Sequence, residues 1–147
     1  MRVYLSYYIT GRWKTPEWVK SVKALFHYEK IDYIDPLEVS NLKNENVSRK
    51  VLGEIVESDK KGIERSTVLV VYWEQPSVGV SMEVLHAFNH RIPVLVVVAP
   101  KPKYPPMWLR YHASLIIYED FEHVQFLKIL RSLNVERNDS GLEEVTT

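Results

Sequence analysis

The chain has 147 residues, of which 46% are hydrophobic and 26% charged, a balance typical of one globular domain with a sizeable core. Lys plus Arg and Asp plus Glu both number 19, so the chain lacks the general positive charge that attracts nucleic acid or anionic membranes. Cysteine is absent, which excludes disulfides, thiolate nucleophiles and cysteine-ligated zinc. No apolar run approaches the roughly 20 residues that span a bilayer, and we expect a cytoplasmic protein with neither membrane nor nucleic-acid partners.

The first part of the chain predicts two strands and a helix. Residues 2–8 are aromatic and β-branched, which is typical of a strand. Pro16 is expected at the first position of an amphipathic helix whose apolar residues recur at helical spacing up to Phe26. Residues 31–34 predict a second strand, and residues 41–46 are polar enough to form a surface loop.

The middle of the chain predicts a buried parallel sheet. A second amphipathic helix is expected over residues 47–65, with Asp59 in its last two turns. Residues 67–73 and 92–98 are near-continuous apolar runs, the pattern of parallel strands buried on both faces. A Pro- and Gly-containing turn and then a helix over residues 80–89 connect these two runs.

The remaining elements complete an alternating order of strands and helices. Residues 113–118 predict a fifth strand, residues 121–133 a last helix, and residues 135–147 a polar C-terminal tail. This order predicts one α/β domain over residues 1–134, a three-layer α/β/α sandwich with a mainly parallel five-stranded, Rossmann-like sheet. A ligand site is expected beyond the carboxyl ends of the strands.

Glu83 is the leading candidate for a reacting group. It falls near the first turns of the helix predicted over residues 80–89, beside the strand ends and close to the N–H groups of the helix start. Gly79 can adopt backbone angles closed to other residues, and together with the Ser77 hydroxyl the N–H groups of this turn can face one phosphate. In an arbitrary helix such a glutamate would only complement the helix dipole, so its neighbours decide its role.

Three segments together resemble a known family. Glu57-Ser-Asp59, Val68-Leu-Val70 and Gln75-Pro-Ser-Val-Gly-Val-Ser-Met-Glu83 resemble the nucleoside 2-deoxyribosyltransferase superfamily. They are most similar to its 2'-deoxynucleoside 5'-phosphate N-hydrolase branch, which carries Gln-Pro-Ser-Leu-Gly-Val-Gly-Tyr-Glu. The resemblance runs without a gap from about residue 55 to residue 88 and implies the nucleoside deoxyribosyltransferase-like fold.

The resemblance also implies roles for individual residues. Glu83 matches the nucleophile, Asp59 the second acidic group, and Ser77 and Gly79 the contacts to the 5'-phosphate. Tyr4 matches the position beside the sugar. The chemistry needs these residue types, because an ionised carboxylate stabilises or traps the oxocarbenium-like C1' while a second carboxyl group protonates the departing base. Without the resemblance, Asp59 would be an exposed helix carboxylate and Tyr4 an ordinary strand residue.

The loop after the first strand departs from the family. The hydrolase branch has Gly-Ser-Ile-Arg-Gly there, whereas this chain has Tyr7-Tyr8-Ile9-Thr10-Gly11-Arg12. Ile9 and Gly11 still match and remain candidates for contact with the substrate. Tyr8, like its neighbour Tyr7, is expected to stack on a base or narrow the pocket, and Arg12 is a candidate for the phosphate although it is shifted by two positions.

Two positions bear on the substrate. Transferases of the superfamily that act on unphosphorylated nucleosides often carry an Asp where this chain has Ser77, and a carboxylate there would oppose a phosphate. Ser77 therefore favours hydrolysis of a nucleoside 5'-monophosphate, with deoxyribose and ribose both open. Glu74 would repel a dianion unless it points away.

Three alternatives stay open. One is base exchange between deoxynucleosides, and a second is a nucleotide-binding or sensing module without turnover, suggested by the altered first loop and by Glu74. A third is cleavage of NAD, because Val3-Tyr-Leu-Ser-Tyr7 looks a little like the first strand of Toll/interleukin-receptor domains.

Cofactors and assembly give weaker signals. His86 and His90 stand at i, i+4, but a third ligand for a zinc site is not evident, so we expect neither a metal nor another cofactor. The segment Met107-Trp108-Leu109 and Tyr111 offer an apolar patch, which favours a homodimer.

Overall fold

A computed structural model describes residues 1–9, 14–39, 47–101, 104–119, 122 and 124–134. The strands are β1 (Arg2–Tyr7), β2 (Asp32–Ile34), β3 (Val68–Trp73), β4 (Val94–Val98) and β5 (Leu115–Tyr118). The helices are α1 (Glu17–Tyr28), α2 (Pro36–Val39), α3 (Arg49–Glu64), α4 (Val78–Asn89), α5 (Met107–His112) and α6 over residues 124–134. The loop predicted at residues 41–46 and the tail predicted at residues 135–147 lie outside the described residues.

The five strands form one sheet in the order β2-β1-β3-β4-β5, and every neighbouring pair is parallel. From β1 the chain first moves outward to β2 and then returns to β3 on the other side, so the direction of winding reverses between β1 and β3. In doubly wound sheets a crevice forms at this reversal, beyond the carboxyl ends of the strands. The predicted five-stranded α/β sandwich is confirmed, and its sheet is parallel throughout.

Helices cover both faces of the sheet because alternate residues of a strand point to opposite sides. On one face Val3, Leu5 and Tyr7 pack with apolar residues of α1 and α6. On the other face Tyr4 packs with apolar residues of α3, α4 and α5. β3 and β4 are buried along their whole lengths, as their continuous apolar runs predict.

Two helix starts differ from the sequence predictions. Pro16 is the N-cap of α1 and not its first helical residue, because its ψ of 145° is extended. α4 begins at Val78, two residues earlier than predicted, since the Ser77 side chain caps it by accepting a hydrogen bond from the Val80 N–H. Gly79 consequently lies in the first turn of the helix.

The sequence did not predict α2 and α5, which have 4 and 6 residues. The predicted amphipathic helix α3 is present, but Val51, Leu52 and Val56 are 36%, 44% and 49% exposed, whereas Ile63 is buried. Only the carboxyl end of α3 therefore packs firmly on the sheet. None of the described helices is long and apolar enough to cross a membrane.

Candidate active site

Glu83 lies in the second turn of α4 with its carboxylate turned toward β1. The Ser6 hydroxyl of β1 donates a hydrogen bond of 3.2 Å to Glu83 Oε1. Glu83 Oε2 is shielded from solvent and has no hydrogen-bond partner among the described residues. The pKa of Glu83 is raised to about 8, mainly by burial; the charge of Asp59 also raises it, and the interactions with Tyr4 and Ser6 lower it. This carboxylate is under-solvated, so its ionised form is held at high free energy.

Asp59 and Tyr4 complete an acidic group with Glu83. Asp59 is half-buried on α3, and burial raises its pKa to about 6 although interaction with Tyr4 lowers it. Burial and the two carboxylates raise the pKa of Tyr4, which stays protonated. Its hydroxyl is buried near both carboxylates without a hydrogen bond of close geometry to a described residue. A buried O–H donor thus lies between two acids whose pKa values lie on either side of 7.

A cavity of about 440 Å³ opens between α3 and α4 over this group. Asp59, Glu83, Ser77 and Gly79 all line it. Its apolar and aromatic lining comprises Tyr7, Ile9, Val56, Ile63, Val80, Met82 and Leu85. The volume and the mixed lining suit a small ligand with flat apolar faces and a few polar groups. A larger cavity of about 920 Å³ lies between α3 and β2 and is lined by Tyr4 and Asp59, whereas Tyr4 does not line the smaller one. Glu83 lines only the smaller cavity of the two, which is therefore the candidate site.

The amino end of α4 supplies the cavity with free N–H donors. Ser77 accepts from the Val80 N–H at 3.3 Å, which leaves the Val78 and Gly79 N–H groups without an acceptor inside the helix. Gly79 does not use the backbone angles closed to other residues, because it is helical and has no positive φ. A Cβ there would meet only Ser77 Oγ, at 4.0 Å. The space beside Gly79 is therefore open to an anion.

The other predicted residues are placed unequally. Ile9 lines the cavity, and Tyr8 is half-buried directly after β1. Gly11 and Arg12 lie outside the described residues. Tyr7 cannot stack on a base as expected, because its ring is in the core and its hydroxyl donates to Asp35 at 2.7 Å.

Sequence reasoning missed Ser6 and Gly62. Ser6 follows Tyr4 by two residues on β1, so the strand period places both on the face toward α4, a signal that the sequence does contain. Gly62 lies on α3 where a Cβ would come within 3.2 Å of Tyr4 Cε2. The absence of a side chain at residue 62 lets the Tyr4 ring fit against α3.

One group of possible metal ligands occurs among the described residues. His86 and His90 of the predicted pair face Glu64 at the end of α3, a third ligand that was not evident from the sequence. On α5, Met107, Trp108 and Tyr111 are exposed as the predicted apolar patch requires, but Leu109 is buried in the core and does not belong to that patch.

No protein-family model and no curated protein sequence matches the chain. Solved structures share its fold, among them the following three. A 2-deoxyribosyltransferase from the psychrotolerant bacterium Bacillus psychrosaccharolyticus superposes with a TM-score of 0.64 and 12% identity over 85% of this chain and 95% of the enzyme. The CMP N-glycosidase BcmB of Clostridium botulinum superposes with a TM-score of 0.58 and 14% identity over 87% of this chain and 99% of BcmB. FixJ-N superposes with a TM-score of 0.58 and 13% identity over 90% of this chain and 92% of FixJ-N.

These similarities show the fold that the sequence resemblance implied, the nucleoside deoxyribosyltransferase-like α/β fold. FixJ-N, whose name refers to no glycosidic chemistry, matches as well as BcmB does. The fold is therefore compatible with more than one function, and the side chains of the site must distinguish them.

Proposed function

We propose that the protein hydrolyses the N-glycosidic bond of a nucleoside 5'-monophosphate, giving free base and sugar 5-phosphate. The observation that carries this proposal is the buried, under-solvated carboxylate of Glu83, which shares one cavity with Asp59. Perturbed acids in a cleft of this kind are typical of catalytic sites. Two of the proteins with this fold are named for reactions at nucleoside glycosidic bonds.

The first step forms a glycosyl ester. The ionised Glu83 carboxylate attacks C1' from the face opposite the base while the C1'–N bond breaks and its electron pair goes to the base. Asp59 in its protonated form gives its proton to the departing base, which leaves neutral. The positive charge that develops at C1' is stabilised by the adjacent carboxylate, and this stabilisation is strong because one oxygen of that carboxylate is shielded from solvent.

The second step restores the enzyme. A water molecule attacks C1' of the ester, the bond from C1' to Glu83 breaks with its electron pair returning to the carboxylate, and the water proton goes to Asp59. The sugar 5-phosphate then leaves with a hydroxyl group at C1'. Both carboxyl groups end in the protonation states in which they began.

The reaction requires that the one proton shared by Asp59 and Glu83 lie on Asp59. In the free protein the raised pKa of Glu83 keeps the shared proton on Glu83 near neutral pH, whereas attack requires it on Asp59. The Tyr4 hydroxyl, buried near both acids, is placed to exchange it between them. A substrate with partial positive charge at C1' favours the ionised Glu83 and drives this exchange.

The amino end of α4 would hold the 5'-phosphate. Free N–H groups at Val78 and Gly79, the Ser77 hydroxyl and the helix dipole all favour an anion there. Because Ser77 and Gly79 line the cavity that contains Glu83, a bound phosphate and the reacting C1' can belong to one nucleotide.

Base release tests the proposal directly. Deoxy- and ribonucleoside monophosphates are incubated with the purified chain, and free base is measured by chromatography. We expect release with at least one substrate and a loss of about 10³-fold or more in Glu83→Gln. Glu54→Gln, which removes an exposed α3 carboxylate outside the Glu83 cavity, should retain full activity. Tight binding without release, or full activity in Glu83→Gln, would contradict the proposal.

Base exchange is the second candidate, favoured by the similarity to a 2-deoxyribosyltransferase with a TM-score of 0.64. A transferase passes the glycosyl group from Glu83 to another base in place of water. A second free base added to the reaction distinguishes the two activities, because only a transferase converts it to a new nucleoside or nucleotide.

We also propose a homodimer that pairs through the exposed α5 side chains Met107, Trp108 and Tyr111. Sedimentation velocity should give twice the mass of the 17.3 kDa chain, and Trp108→Glu should shift it to the monomer.

A further inference from the structure

Glu64, His86 and His90 form a compact group at the junction of α3 and α4. Glu64 Oε1 lies 3.4 Å from His86 Nε2 and 3.1 Å from His90 Nε2. One ligand atom from each residue falls within 4.8 Å of the other two. The side chains are 20–41% exposed, so solutes can reach the group.

The hydrogen bonding of His90 places the proton of its neutral ring on Nδ1, so that Nε2 has no hydrogen to donate. His90 Nδ1 lies 2.8 Å from the carbonyl oxygen of His86, and because a carbonyl only accepts, Nδ1 carries the proton of the neutral ring. His90 Nε2 then presents a lone pair to a carboxylate oxygen 3.1 Å away. Two acceptors face each other at this distance, which requires a cation between them or a second proton on the ring.

His86 supplies an independent observation. Its Nε2 is shielded from solvent and has no hydrogen-bond partner among the described residues, although it points toward the same Glu64 oxygen. An orphaned imidazole nitrogen is costly in a protein interior unless it binds something. The nitrogen, like that of His90, converges on the space beside Glu64 Oε1.

The spacing of the donors suits a transition metal. Zinc bonds of about 2.0–2.1 Å at tetrahedral angles place two donors about 3.3–3.4 Å apart. The separations of 3.1 and 3.4 Å from Glu64 Oε1 are close to this. Two imidazoles and one carboxylate match the preference of Zn²⁺, whereas Mg²⁺ and Ca²⁺ prefer oxygen ligands alone.

We propose that Glu64, His86 and His90 bind one Zn²⁺ ion, with a fourth position left for water or a ligand oxygen. A second proton on His90 is the competing explanation, but it leaves the shielded Nε2 atom of His86 without a partner. A single divalent ion accounts for both nitrogens.

The location of the site gives the ion a role beyond binding. His86 lies about one turn after Glu83 on α4 and lines the same cavity, while Glu64 is on α3 with Asp59. A metal that joins α3 to α4 fixes the separation of the two helices that carry the acidic pair. The ion is thus a clamp across the candidate active site, and its binding does not depend on the reaction proposed for that site.

Metal titration of the full chain tests the site. The protein is stripped with a chelator, dialysed, and titrated with Zn²⁺ in competition with a chromophoric chelator. We expect one ion per chain with a Kd in the micromolar range or tighter, and at least a hundredfold weaker binding in His90→Ala and in Glu64→Gln. Zn²⁺ should also raise the melting temperature of the parent and not of these variants.

His112→Ala is the matched control. The Nδ1 atom of His112 lies 2.7 Å from the Trp108 carbonyl, the same i−4 arrangement as in His90, but His112 has no role in the proposed site. Its loss should leave zinc binding unchanged. Co²⁺ in place of Zn²⁺ should give the intense visible absorption of four-coordinate cobalt, which His90→Ala should abolish.

Two results would overturn the proposal. One is the absence of saturable Zn²⁺ binding up to about 100 μM in the parent protein. The other is equal binding by the parent, His90→Ala and Glu64→Gln, which would place the metal elsewhere. Circular dichroism of each variant shows that it is folded, and Glu64→Gln, which alters only an exposed side chain, keeps the test valid if His90→Ala unfolds.

Discussion

Two buried carboxylates lie on opposite faces of β1, and they are treated in opposite ways. Asp35 accepts hydrogen bonds from the Tyr7 hydroxyl at 2.7 Å, the Leu37 N–H at 3.0 Å and Lys23 Nζ at 2.8 Å. Ser6, the neighbour of Tyr7 on β1, donates one hydrogen bond to Glu83 on the other face of the strand. The second carboxylate oxygen of Glu83 accepts no hydrogen bond among the described residues. Asp35 therefore has a cationic partner and several hydrogen bonds, whereas Glu83 has no cationic partner in the contacts described above.

The difference separates a structural acid from a reactive one. Burial lowers the pKa of Lys23, but hydrogen bonds and charge pairing with Asp35 and Glu38 raise it overall, so the ammonium stays charged beside the carboxylate. For Glu83 the interactions with Tyr4 and Ser6 offset burial only in part, and no cation pairs with it among the groups that shift its pKa, which rises to about 8. In the proposed reaction an oxocarbenium-like C1' would supply the missing positive charge, so the site would stabilise the transition state more than the bound substrate.

The largest expected effect is that two substitutions change the free energy of unfolding in opposite directions. Asp35→Asn should lower the free energy of unfolding by about 2–3 kcal/mol, because it leaves the partly buried Lys23 short of a counter-charge. Glu83→Gln should raise it by about 1–3 kcal/mol at pH 8, since it removes a carboxylate that burial disfavours. Urea unfolding measures both.

The pH dependence sharpens this expectation. Between the ordinary pKa of a glutamate and about 8, folded Glu83 holds a proton that the unfolded chain has released, so the stability of the parent falls as pH rises through that window. In Glu83→Gln the contribution of residue 83 to this decrease of stability with pH should be absent. Asp32→Asn, at an exposed carboxylate on β2, is the control and should change stability by less than about 0.5 kcal/mol. Destabilisation by both Asp35→Asn and Glu83→Gln would break the comparison.

The pH–rate profile is the second test. The reactive form carries one proton on the acidic pair, so kcat/KM should be bell-shaped, with limbs at about 6 and about 8 that belong to Asp59 and Glu83 together. Asp59→Asn should remove the alkaline limb and shift the acid limb upward from about 6 to the pKa of Glu83 alone, which lies below about 8 in this variant because the charge of Asp59 is gone. A flat profile from pH 5 to pH 9 would contradict a shared proton.

Two glycines of α3 give a third test, of how Tyr4 is positioned. Gly62→Ala places a methyl group 3.2 Å from Tyr4 Cε2, so the ring must shift, and we expect kcat to fall by about 3- to 30-fold. Gly53→Ala meets nothing within 4 Å and should leave kcat unchanged while it stabilises α3 by up to about 1 kcal/mol. Equal kcat values for the two variants would show that the Tyr4 ring is not critical.

The smallest effect is expected at the amino end of α4. Gly79→Ala fills open space beside the free N–H groups, so KM for a monophosphate should rise by about 3- to 10-fold without loss of stability. KM for the corresponding unphosphorylated nucleoside should stay the same. An equal rise for both substrates would mean that the phosphate is held elsewhere.

The sequence predicted the sheet well because β3 and β4 are continuous apolar runs, which only a doubly covered parallel sheet buries completely. The short helices α2 and α5 carry too few residues to show a helical period, and tertiary contacts decide their conformation. The amphipathic pattern in α3 was real, but three of its five apolar residues, Val51, Leu52 and Val56, face solvent, which periodicity alone does not reveal.

The residues of the candidate site likewise fall into those that short sequence motifs predict and those that only tertiary contacts reveal. Glu83, Asp59, Ser77 and Gly79 were predicted from short motifs, and the structure brings them to one cavity. Ser6 and Gly62 were missed because their contacts join elements far apart in sequence. Glu64 was missed for the same reason, since its carboxylate meets His86 and His90 only when α3 packs beside α4.

The weakly packed half of α3 has a consequence for substrate range. Amide hydrogens near Val51, Leu52 and Val56 should exchange with deuterium much sooner than those near Ile63, because few buried contacts oppose local opening there. Val56 belongs to one wall of the cavity, so that wall yields at little cost while Glu83, set against the sheet, stays fixed. A protein built this way would accept bases of different size and be strict about the sugar carbon that it attacks.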